Sequence, residues 1–249
     1  MIEPRPLARA PLREAILDLR LDVRGERSKD LDWLSTVRSN IAGEYPKAEE
    51  VSRLASVSNG GAGVPFFGPP GEPGTLLCRS RDDRQAVQFS AAGFSFSRLN
   101  PYESWERLRD EAARLWTIYS AVTRPDSVRR VSLRYINEFR LAAGRAPDEY
   151  VGTAFVPTPP GLKVQVGGFL SRLLLRERAG GPLAWITQWL PDADSPDDSP
   201  RLILDIDAYR DFPQGIDVEQ AWRCLEELRD LKNRLFFSSI TEEALREFV

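Results

Sequence analysis

The sequence predicts an α+β protein, an antiparallel sheet with helices packed on one face. Three observations carry this. Segments of alternating apolar and polar residues recur along the chain, the period of half-buried strands. Those strands follow one another directly, joined by short turns, as antiparallel neighbours do. Amphipathic helices close each half, and each needs an apolar sheet face to cover.

The first strand is read at Glu14 to Asp22, EAILDLRLD, with Ala15, Leu17, Leu19 and Leu21 on one side. Ser28 is placed as the cap of a helix to about Gly43, with Leu31, Leu34, Val37 and Ile41 on one face and Pro46 at its end. A strand is expected near Val51 to Val57. The Gly- and Pro-rich segment from Ser58 to Gly74, which includes Phe66 and Phe67, suits neither helix nor ladder. Short strands follow at Thr75 to Ser80, Ala86 to Ser90 and Gly93 to Leu99. Asn100, Pro101 and Glu103 have the spacing of a helix start, which predicts a helix to about Val122 with Trp105, Leu108, Ala112, Leu115 and Tyr119 inward.

The order then begins again. Ser127 to Leu141 reads as a long strand with Arg134, Glu138 and Arg140 on its polar face. A short helical stretch is expected at Pro147 to Thr153. Strands at Val164 to Arg178, Leu183 to Leu190 and Arg201 to Arg210 follow, with Gly180-Gly181 turning the first hairpin. Asp217 caps a last long helix with Gln220 three positions on. The chain therefore reads as β-α-βββ-α twice, residues 1–124 and 125–249, forming one compact unit; two domains joined near Pro125 are the alternative. Trp105-x-x-Leu108 and Trp222-x-x-Leu225 mark equivalent helices in this duplicated plan.

Composition excludes several chemistries. There is no histidine among 249 residues, which removes Ser-His-Asp and Cys-His nucleophile systems and histidine-ligated zinc. The lysines are Lys29, Lys47, Lys163 and Lys232 alone, so a Schiff-base amine has few candidates. Cys78 and Cys224 lie far apart in apolar patterns and are expected to be buried free thiols. A net charge of −3 argues against broad nucleic-acid binding. The lack of an apolar run of about 20 residues or of a secretory leader predicts a cytoplasmic protein with no membrane partner. No cofactor is expected.

Two groups of residues suggest a site. Asp205 and Asp207 share a strand face and, with Asp18 or Glu14, could hold Mg²⁺ or Ca²⁺; the competing reading pairs them with Arg134, Arg140, Arg172 or Arg176 as cross-strand ion pairs. Those arginines could line an anion trough if their strands are neighbours. Gly60 to Gly63 lacks the lysine and hydroxyl residue of a phosphate loop. At the C-terminus Phe236 and Phe237 point about 100° apart on a helix, and Thr241 with Glu242 and Glu243 forms a fresh start signal. A break is therefore predicted near Ser238-Ser239, with one phenylalanine buried and the other completing an intramolecular clamp or a subunit contact through Ile240, Leu245 and Phe248.

The stretches PLARAPLREAILDLRLD, SLRYINEF, LILDIDAYR and LKNRLFFSSITEEAL together resemble an uncharacterised prokaryotic protein family of about this length, over essentially the whole chain. The resemblance brings no activity and no catalytic residue; the family's sporadic distribution implies an accessory or defence-linked role. The expected function is a non-catalytic binding or regulatory protein, using an exposed sheet face and the C-terminal aromatic region on a protein partner or a second copy. The alternatives are a divalent-metal enzyme centred on Asp205 and Asp207, and a binder of an apolar small molecule.

Overall fold

The computed structural model describes residues 3–22, 32–51, 75–142, 144–153, 167–191 and 200–249. Among these residues nine strands form one antiparallel sheet: β1 (Leu12–Asp22), β2 (Lys47–Val51), β3 (Thr75–Arg79), β4 (Gln85–Ser90), β5 (Gly93–Leu99), β6 (Ser127–Arg140), β7 (Phe169–Arg176), β8 (Leu183–Leu190) and β9 (Arg201–Ile216). Their order across the sheet is β2-β3-β4-β5-β1-β6-β9-β8-β7. The helices are α1 (Asp32–Ile41), α2 (Trp105–Thr123), α3 (Val218–Ser239) and α4 (Glu242–Leu245). Among the described residues no helix is long and apolar enough to cross a membrane.

β1 and β6, one from each half of the chain, pair from Leu12↔Asn137 to Asp22↔Ser127. Outward from this pair β5, β4, β3 and β2 follow on one side and β9, β8 and β7 on the other, so the last described strand of each half lies beside its first. Ala15, Leu17, Leu19, Val131, Leu133, Phe94 and Phe96 bury their side chains on one face. There α2 packs on β5, and α3 on β6 and β9. The alternation of the strands dictates this: moving β1 or β6 by one residue would turn charged side chains such as Asp18 or Arg134 into the core. Trp105 donates from Nε1 to Glu226 at 2.9 Å, tying α2 to α3. Trp105 is buried, whereas Trp222 is only partly so.

Several expected boundaries change. Asn100 does not cap α2: its backbone N–H is bonded to the Arg13 carbonyl at 3.0 Å, extending the register of β1 and β5. Ser104 caps instead, accepting from the Arg107 amide at 3.2 Å, while Glu103 pairs with Arg98 and Arg107. β2 begins at Lys47, ahead of its expected position; Ser28, the remainder of that strand, and the loop with Gly60 to Gly63, Phe66 and Phe67 lie outside the described residues. Strand β9 runs six residues beyond Arg210, to Ile216. Gly180, at φ +70°, turns the β7–β8 hairpin.

The C-terminal break falls where the sequence places it. Strand-like Ile240 ends α3, and the Thr241 side chain caps α4 by accepting from the Ala244 amide at 3.1 Å. Gly152 donates to the Ser239 carbonyl at 2.8 Å and Thr241 to that of Tyr150 at 3.0 Å, so the break is held against the turn after β6. A second core gathers here from Phe139, Leu141, Tyr150, Val151, Ile186, Leu202 and Leu204, with Phe236, Phe237, Ile240 and Leu245.

Candidate functional site

The face opposite the helices carries the polar alternates of the strands. Its centre follows from register: Trp185 on β8 lies opposite Asp207 on β9, which lies opposite Arg134 on β6. In the adjoining row Arg172, Thr187, Asp205 and Ile136 follow one another from β7 to β6. Successive strands are about 4.8 Å apart. β6 and β7 are not neighbours, since β9 and β8 stand between them. The arginines therefore do not line a shared trough: Arg134 is central, Arg172 and Arg176 are on the outer strand, and Arg140 is exposed at the end of β6 opposite Arg201.

Arg134 and Asp205 form a bidentate pair, with Nε to Oδ1 at 2.9 Å and Nη2 to Oδ2 at 2.7 Å. Asp205 is 3% exposed, and both its oxygens are used by this guanidinium. Arg130 stacks on Tyr209, 3.7 Å from the ring centroid, and reaches Asp211 at 3.4 Å and Asp207 at 4.0 Å. Arg20 donates to Asp18 at 3.1 Å. Arg172 lies over Trp185, 4.3 Å from the ring centroid. Apart from the Arg20–Asp18 pair, which lies along β1, these are cross-strand and cation–π arrangements that a ladder of alternating residues makes available.

Asp207 is the exception in this network. Its Oδ1 is buried and, among the described residues, accepts no hydrogen bond. Burial pushes its carboxyl up to about 6, against the opposing pull of Arg134 and Arg130. Burial also raises Glu14 and Asp18. The metal centre of the alternative reading does not assemble from these groups. The guanidiniums of Arg134 and Arg130 occupy the positions between the β1 and β9 carboxylates, and among the described residues no group of three or more ligating side chains converges on one point. The carboxylates are placed for ion pairing, the competing reading of the sequence.

Phe236 and Phe237 lie in the second core on the helix side, both buried, their rings edge to face with centroids 5.1 Å apart. Neither is presented to a partner. They are both inward because the last turn of α3 has the sheet on one side and α4 with Val151 on the other. Cys78 and Cys224 are free and buried, and burial pushes their thiols up to about 11 and about 12, away from the reactive thiolate.

The group that composition alone does not single out is Lys232. Its side chain enters the α3 stripe between Leu228 and Leu235 and is 9% exposed. Nζ donates to Asn233 at 2.7 Å and sits 3.6 Å from the centre of the Tyr135 ring; the Tyr135 hydroxyl is 2.7 Å from that of Tyr102. Burial, helped by the Arg229 charge, pulls the amine down to about 7. The available signal was its four-residue spacing from Leu228, on the buried stripe.

Comparison with protein-family models and with curated protein sequences finds no match. The chemical reading therefore rests on the geometry of this face.

Proposed function

We propose that this is a non-catalytic binding or regulatory protein, accessory in role, that receives a protein partner on the face of its sheet opposite the helices. The observation that carries the reading is the unsatisfied Asp207 Oδ1 beside Trp185. A buried acceptor without a donor is costly, and a ligand N–H placed there would relieve that cost. The surroundings suit a neutral, amide-bearing group: Asp207 stands among two acidic and two basic neighbours, Asp18, Asp205, Arg130 and Arg134, with Trp185 opposite it on β8. The C-terminal aromatic region has no part in this binding, because its phenylalanines are internal.

Against a divalent-metal enzyme stands the Arg134–Asp205 pair, which uses both oxygens of one required ligand. The test compares affinity-purified wild type with Trp185→Ala and Asp207→Leu, each checked for native secondary structure, and with Glu49→Gln at the far edge as a control. A partner held by wild type and the control but lost from both face variants supports the reading. The same partners on all four proteins overturn it.

A further inference from the structure

We propose that the protein forms a twofold dimer through β7, pairing with β7 of a second copy so that the sheet continues from one molecule into the other. This contact lies at the sheet edge and is independent of the partner proposed for the face opposite the helices.

Among the described residues β7 is the last strand of the sheet, and it pairs with β8 on one side. An outermost strand presents alternate backbone N–H and C=O groups outward, a template for another strand. The two edges of this sheet differ in how they meet that problem. β2, with the sequence KAEEV, carries Lys47, Glu49 and Glu50, the charged protection usual for an edge. β7, with the sequence FLSRLLLR, leaves Leu170, Leu173, Leu174 and Leu175 exposed at 52%, 51%, 44% and 38%. Leu170 and Leu174 share the face opposite the helices with Arg172 and Arg176, while Leu173 and Leu175 lie on the helix face, as the pairing with β8 requires.

Charge selects the occupant and its register. In an antiparallel pair, opposed residues project to the same face. With the axis at Leu173, Leu173 meets its own copy, Arg172 meets Leu174, Arg176 meets Leu170, and Leu175 meets Ser171. Every arginine then faces a leucine along which its aliphatic stem can lie. Moving the axis to Arg172 opposes two Arg172 side chains, and moving it to Leu174 opposes Arg172 to Arg176. Like charges placed directly opposite are destabilising. The strand is thus complementary to itself at Leu173 and mismatched in both adjacent registers. An isologous contact of this kind closes at two subunits and leaves β2 as the outer edge of each copy.

Sedimentation velocity on the full chain across the micromolar range tests the proposal, with circular dichroism to confirm folding. Wild type is expected at dimer mass, and Leu173→Lys and Leu174→Lys at half that mass. Both side chains are already largely exposed, so the variants retain the fold. Opposed residues on paired strands are about 4.5 to 5.5 Å apart between Cα atoms, within disulfide reach. Leu173→Cys should therefore cross-link to a covalent dimer under mild oxidation, while Arg172→Cys should not; Cys78 and Cys224 are buried and contribute no background. A wild type that is monomeric throughout, including one that takes up an added foreign strand peptide, overturns the proposal. A dimer that persists in Leu173→Lys, or a cross-link at Arg172→Cys in place of Leu173→Cys, also overturns it.

Discussion

Arg134 binds Asp205 through two parallel hydrogen bonds of 2.9 and 2.7 Å across the β6–β9 ladder. Removing one partner from a buried pair leaves an uncompensated charge, whereas replacing both with apolar groups removes the desolvation cost together with the attraction. Arg134→Met is therefore expected to cost about 3 to 5 kcal/mol. Arg134→Met with Asp205→Leu should recover most of that loss. Urea denaturation of the two single variants and the double variant measures the coupling; additive losses would show that the pair acts independently.

Lys232 gives the stability of the protein a particular dependence on pH. Its amine titrates at about 7 when folded, below its ordinary value of 10.5. Between those values the unfolded chain binds the extra proton, so stability rises with pH across the window and the penalty is complete below pH 7. The Tyr135 ring 3.6 Å from Nζ returns part of that penalty by cation–π attraction. Lys232→Met should thus stabilise the protein by about 1 to 3 kcal/mol at slightly acid pH, with the gain shrinking as pH rises from about 7 and gone above 10.5. Chemical denaturation of both proteins at several pH values checks this, and a gain independent of pH would refute it.

The C-terminal segment should behave as part of the fold. Deleting residues 240–249 removes Ile240 and Leu245 from the second core and the Thr241 bond to the Tyr150 carbonyl. Loss of cooperative unfolding is expected, and Phe237→Ala alone should cost about 3 to 5 kcal/mol. Thr241→Ala, which removes the α4 cap and the hydroxyl's bond to the Glu149 carbonyl, should cost about 1 to 2 kcal/mol. Thermal melts of the three proteins give the ranking. A truncated chain as stable as the full one would remove the clamp from the account of this region.

The sequence by itself determined which residues face the core and where local elements stop. The alternation in EAILDLRLD and in VSLRYINEF assigns the two faces of β1 and β6, because side chains on a strand repeat every two residues. Thr241 with two acidic residues behind it restarts a helix for equally local reasons. Only the tertiary structure decided which strands are neighbours. Periodicity says nothing about pairing partners distant in the chain, so Arg134 meets Asp205 across 71 residues while Arg172 remains on the outer strand. The same reason moved the α2 cap to Ser104: the Asn100 amide was already bonded to the Arg13 carbonyl on β1. It also buried both Phe236 and Phe237. A helix considered alone offers one apolar stripe, but α3 ends between the sheet and the returning chain at Val151 and α4, and that enclosure removes two diverging side chains from water.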